Sequence, residues 1–92
     1  MAEGIFLTVE VRLFGILTKK APRLDRTGMV GIMNIDKEKV RDVSDILGML
    51  DLRKENTGHI FLNSEYCIPS SLVSDGDTVA IFPSNMAIKW LQ

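Results

Sequence analysis

The sequence predicts an α+β fold in which a mixed sheet of four to five strands packs on one main helix. Three observations lead there. Apolar and polar residues alternate strictly through the opening segment. A single later stretch repeats its apolar residues at three- and four-residue steps. Short β-branched or aromatic runs bounded by turn residues follow it. One helix laid over one sheet is the two-layer arrangement open to so small a chain. The 92 residues suit one domain, placed at 1–83, with an apolar tail at 84–92. Because 46% of the residues are apolar and only 25% charged, the composition favours a folded chain over a disordered one.

In the first strand Ile5, Leu7, Val9, Val11 and Leu13 point one way and Thr8, Glu10 and Arg12 the other, and Gly15 closes it. The stretch from Thr18 to Arg23 is polar, holds Pro22, and reads as a loop. Met29 to Ile35 predicts a short strand through its β-branched residues, although Gly31 and Asn34 interrupt the pattern. Val40, Val43, Ile46, Leu47 and Leu50 then share one side of a helix, with Arg41, Asp42, Ser44 and Asp45 on the other. Asp42 and Asp45 suit the positive end of its dipole, and Asp51 suits a left-handed position just past its end. Lys39 is a poor N-cap, which leaves Asp36 as an earlier cap. His59 to Leu62 reads as a short buried strand, and Asn63-Ser64 as a tight reversal into Glu65 to Ile68, broken by Pro69. Asp75-Gly76-Asp77 is a turn leading into Thr78 to Phe82, which Pro83 stops.

Eleven Lys and Arg against twelve Asp and Glu give a net charge of −1 with no basic block, so nucleic acid is not expected as a partner. Cys67 is the one cysteine, which excludes an intrachain disulfide and a thiolate metal cluster and favours a reducing compartment. The opening residues lack a basic region, and Glu10 and Arg12 interrupt the apolar stretch from Ile5 to Leu17. Neither a signal peptide nor a membrane span is expected, and the location expected is cytoplasmic. His59 has no ligand or triad partner at sequence spacing, and Cys67 has no visible activating base. Asp75 and Asp77 read as turn residues, and Lys19, Lys20, Arg23 and Arg26, diluted by Asp25, as a solvated loop. The expectation is a chain without catalytic residues, metal or cofactor.

Taken in order, Val9 to Gly15, Val40 to Leu47, Ile60 to Asn63 and Asp75 to Pro83 resemble the first strand, the helix and the last two strand motifs of the ubiquitin-like ThiS/MoaD sulfur carriers. The resemblance runs from about Leu7 to Pro83 and implies a ubiquitin-like β-grasp fold. Its most distinctive part is the segment from Asp75-Gly76-Asp77 to Phe82-Pro83. Such carriers end in an exposed Gly-Gly, which an ATP-using enzyme adenylylates and a sulfur donor converts to a thiocarboxylate. Here Ser84 to Gln92 contains no glycine, and Ala87-Ile88 stand about where the pair would be. A tail without side chains can thread a narrow channel, whereas Ile88 is β-branched and stiff. The expectation is therefore a non-catalytic protein-binding module that forms no C-terminal thiocarboxylate.

The resemblance implies as partner an adenylating enzyme or a large subunit like that of molybdopterin synthase. It also implies contact through the exposed sheet face, which makes Phe6, Phe14, Phe61 and Phe82 the candidate partner-binding residues. In the tail, Met86, Ile88 and Trp90 alternate as in a strand and join them, since tryptophan often anchors interfaces. The same tail is equally suited to folding back on its own domain. Two alternatives stay open. One is a sulfur carrier for molybdopterin or thiamine biosynthesis working through a processed or atypical C-terminus. The other is a small structural subunit held in a larger enzyme by Met86 to Leu91.

Overall fold

In the computed structural model, residues 7–84 are described. Phe6, Met86, Ile88 and Trp90 lie outside the described residues. The elements run β1 (Thr8–Leu13), β2 (Arg23–Leu24), β3 (Gly31–Asp36), α1 (Val43–Met49), β4 (Thr57–Leu62), β5 (Glu65–Tyr66) and β6 (Thr78–Pro83). They form one six-stranded sheet in the order β2-β3-β1-β6-β4-β5. β1 and β6 pair in parallel at the centre and the other pairs are antiparallel, so the sheet is mixed. The expected strands are all present. The count reaches six because β2, which the sequence pattern does not predict, joins them; β2 and the expected β5, of two residues each, finish the edges. Such short edges offer little backbone for a stray strand to pair with.

The core lies between the sheet and α1. Val9, Val11 and Leu13 of β1 and Val79 and Ile81 of β6 are completely buried, and the register sets Val11 beside Val79 and Leu13 beside Ile81. Val43, Ile46 and Leu47 of α1 close over them, joined by Val40, Leu50, Leu52, Ile60 and Val73. The period-two pattern of β1 and the three- and four-residue steps of the helix are two halves of one interface.

The helix is shorter than its apolar spacing predicts, beginning at Val43 rather than near Val40. Asp42 is its N-cap: its Oδ1 accepts the Asp45 N–H at 3.0 Å, while Asp45 Oδ2 accepts the Arg41 N–H at 2.8 Å. This reciprocal pair resembles a capping box and satisfies donors the helix start leaves open. Asp36 caps a separate 3-10 turn, Lys37–Lys39, by accepting the Glu38 N–H. Val40 is buried all the same, because a core position needs only the right place, not helical backbone. At the other end Asp51 takes the expected left-handed conformation, with φ 56°. Leu52 N–H donates to the Leu47 carbonyl and Asp51 N–H to that of Gly48, the two bonds of a Schellman closure.

Two further differences mark the stretch expected to be a plain loop. Gly15–Lys20 winds into a 3-10 helix that buries Leu17, and Arg23–Leu24 pairs with β3. Leu17 lies between the end of the strand alternation at Gly15 and the polar stretch from Thr18, and one buried leucine there carries no period for a sequence pattern to read. The reversal at Asn63-Ser64 is a two-residue hairpin with φ of 51° and 73°, the twist that matches paired strands. Asp75 and Asp77 behave as turn residues. Asp75 Oδ1 accepts the Thr8 N–H and Asp77 Oδ2 the Ser74 N–H, around Gly76 at φ 86°.

Candidate protein-binding face

The side of the sheet turned away from α1 is where the candidate aromatic residues meet. Because side chains alternate along each strand, Glu10, Arg12 and Phe14 on the β1 side share this face with Thr78, Ala80 and Phe82 on β6. His59 and Phe61 of β4 join them, and Tyr66 of β5 stands opposite Phe61. One transverse row reads Arg23, Ile32, Arg12, Ala80, Phe61, Tyr66 in register across the sheet.

The rings touch in sequence. Phe14 and Phe82 stack, with centroids 4.2 Å apart and planes 9° from parallel. Phe61 meets Phe82 edge-on at 5.8 Å and lies tilted against Tyr66 at 4.4 Å. Tyr66 in turn meets His59 edge-on, and its hydroxyl shares a 2.6 Å hydrogen bond with His59 Nδ1. Offset and edge-to-face contacts of this kind add to burial and hold rings in fixed orientations. Ala80, short and between Arg12 and Phe61 in the row, leaves the face low at its middle. Phe14, Phe61 and Phe82 are half-buried and Tyr66 is exposed, so all four present surface to solvent.

Charge frames the rings. Arg12 Nε donates to Glu10 Oε2 at 2.6 Å, an ion pair along one strand that neutralises both groups beside the aromatic row. Ile32 is 4% exposed yet lies outside the core cluster, on the outer face with Arg12 and Arg23 on either side in register. Past Phe14, the loop after β2 carries exposed Met29 to a hollow of about 560 Å³ that Phe14 also lines. That loop is held by Asp25, whose Oδ1 accepts the Thr27 hydroxyl at 2.7 Å and the N–H groups of Met29 and Val30. The Thr27 bond, with the backbone donors, holds the Asp25 carboxyl below its ordinary value.

Of the seven candidate residues, Phe14, Phe61 and Phe82 come together, and Phe6, Met86, Ile88 and Trp90 lie outside the described residues. Sequence reasoning missed Tyr66, His59, Ala80 and Arg12 as parts of the same face. The hairpin signal at Asn63-Ser64 could have placed Tyr66 beside Phe61, since a two-residue turn fixes which strand residues oppose each other. Cys67 sits on the other side of the sheet's edge, its thiol donating to the Ile60 carbonyl at 3.6 Å. Burial pushes its pKa up, the opposite of an activated nucleophile. Among the described residues, no three His, Cys, Asp or Glu side chains cluster as metal ligands would. No helix of the described residues is long and apolar enough to cross a membrane.

No protein-family model matches the chain, and no curated protein matches it in sequence. Solved structures do match. A crystal structure of small archaeal modifier protein 1 from Haloferax volcanii is 20% identical with a TM-score of 0.61, covering 83% of this chain and 95% of that one. A second crystal structure of that protein is 18% identical with a TM-score of 0.58, covering 83% and 93%. At such identities the likeness shows the fold, which is a ubiquitin-like β-grasp.

Proposed function

We propose that this chain is a ubiquitin-like protein-binding module that engages its partner through the outer sheet face. The observation that carries the reading is the unbroken contact of Phe14, Phe82, Phe61 and Tyr66 across β1, β6, β4 and β5. Rigid aromatic rings bury much area at little entropic cost and concentrate where interfaces are strongest. These rings lie outside the core cluster, three half-buried and Tyr66 exposed, and a contiguous aromatic surface of this kind suits a partner. An adenylating enzyme or a large subunit like that of molybdopterin synthase remains the proposed partner type, and the module's work there is recognition rather than chemistry.

The test compares the native chain with Ala80→Arg, which fills the low middle of the face without touching the core. Both are used to capture proteins from the source cell, with circular dichroism confirming the fold. A partner retained by the native chain and lost by the variant supports the reading. Equal capture by both refutes it.

A second reading is that the chain is itself a modifier, favoured by the likeness to two structures of a modifier protein, or that it carries sulfur through a processed or atypical C-terminus, as the sequence resemblance implies. Intact mass after incubation with an adenylating enzyme, ATP and a sulfur donor decides this, a thiocarboxylate shift favouring the second reading.

A further inference from the structure

On the helix side of the sheet, a groove of about 620 Å³ runs between α1 and β4, floored by Ile60 and walled by Leu47, Gly48, Gly58, Cys67 and Pro69. We propose that the occupant of this groove is the chain's own segment 85–92, seated with Met86, Ile88 and Trp90 inward. The inference goes beyond the binding role of the outer face: the groove opens on the helix side of the sheet, and Tyr66 at the β5 edge is, among the described residues, the one that borders both surfaces.

Four observations favour this occupant. The first is chemical: among the described residues none that lines the groove is charged, whereas two other hollows carry Asp25 or Lys19, Lys20 and Asp51. The segment matches, with Lys89 as its one charged side chain and three large apolar residues at alternate positions. In an extended segment those three face one way and Lys89 the other, toward water.

The second is where the chain is delivered. Ser84 is fastened beside the groove, its N–H donating to the Asn56 carbonyl at 3.1 Å and its hydroxyl to that of Glu55 at 2.6 Å. The third is the closeness of that exit to the wall. A Cβ at Gly58 would come within 2.7 Å of the Pro83 carbonyl oxygen and 3.1 Å of Ser84 Cα. The fourth is reach. Eight residues follow Ser84, and an extended chain advances roughly 3.3 Å per residue, so after reversing at the rim the segment still spans the groove. The volume lies within the range of roughly 300–1,000 Å³ typical of pockets that bury an apolar ligand.

Trp90 is the chain's one tryptophan and Cys67 its one cysteine, so both ends of the proposed contact carry a native probe. In the full chain, Trp90 emission should be blue-shifted from that of a peptide of residues 84–92, independently of protein concentration. Ile88→Asp should return the emission to that of the peptide and let iodoacetamide reach Cys67 roughly tenfold faster, as expected when a protected state opens. Gly48→Phe should release the segment in the same way with its sequence intact. Nothing lies within 4 Å of a Cβ there, so a side chain can leave the helix without meeting its neighbours, and circular dichroism checks that the fold is kept. Amide resonances of Gly58 and Cys67 should move in both variants, and that of Gly48 in Ile88→Asp. Peptide-like emission from the full chain overturns the proposal. So do shifts confined to Phe14 and Phe82, which would seat the segment on the outer face. A burial that disappears on dilution as a dimer dissociates also overturns it, since the groove would then hold a second copy's segment.

Discussion

The rings of Phe14 and Phe82 lie 4.2 Å apart and 9° from parallel, stacked across the parallel pair at the centre of the sheet. A stack of this kind contributes beyond the area it buries. In a double-mutant cycle of Phe14→Leu and Phe82→Leu, measured by urea unfolding, the coupling should be about 0.5–1.5 kcal/mol. Additive losses would mean that the two rings are neighbours without being partners.

Asp51 holds a left-handed backbone at φ 56° to complete the closure of α1. Glycine takes that conformation without the clash a Cβ brings. Asp51→Gly should raise stability by about 0.5–1 kcal/mol, and Asp51→Val should lower it by about 1–2 kcal/mol, both read from denaturation midpoints.

Two glycines should respond with opposite signs. Gly58 sits where the β4–β6 register shifts, and a Cβ there meets backbone of Pro83 and Ser84. Gly58→Ala should cost about 1–3 kcal/mol as the strand pair is forced apart. Gly48 lies within α1 with open space around it, and Gly48→Ala should gain about 0.5–1 kcal/mol from helix propensity. Thermal unfolding of the two variants side by side checks the pair.

Acid should loosen the helix start. The Asp45 carboxyl accepts the Arg41 backbone N–H at 2.8 Å and has the Arg41 guanidinium 3.6 Å away, which together hold its pKa below the ordinary 3.8. A carboxylate whose folded pKa is depressed stabilises the fold at pH above its unfolded value, and that stability is lost as pH falls through the lower folded value. Unfolding midpoints measured from about pH 6 down to about pH 2 should therefore drop below about pH 4. Asp45→Asn should start lower and fall less steeply over that window.

Much of this was legible in the chain because its periods are local. Val9, Val11 and Leu13 announce a half-buried strand, and Val43, Ile46 and Leu47 announce the helix face that covers it. The helix start was misread because Val40 is apolar and correctly spaced, yet Asp42 and Asp45 form the cap three residues later. Phe14, Phe61 and Phe82 were legible as candidates, but their meeting was not. It depends on the pairing of β1 with β6 and of β6 with β4, which no local pattern specifies. Tyr66 escaped for the same reason, since its place beside Phe61 follows from the hairpin register rather than from its neighbours in sequence.

The parallel partnership of β1 with β6 also sets the order in which the chain can mature on a ribosome. β1 is made well before β6, its parallel neighbour, so the middle of the sheet stays open until Thr78–Pro83 has left the exit tunnel. Pairing across so much intervening sequence carries a loop-closure cost that slows folding. A nascent chain stalled after β5 would expose the facing edges of β1 and β4, and is the species on which a chaperone should act.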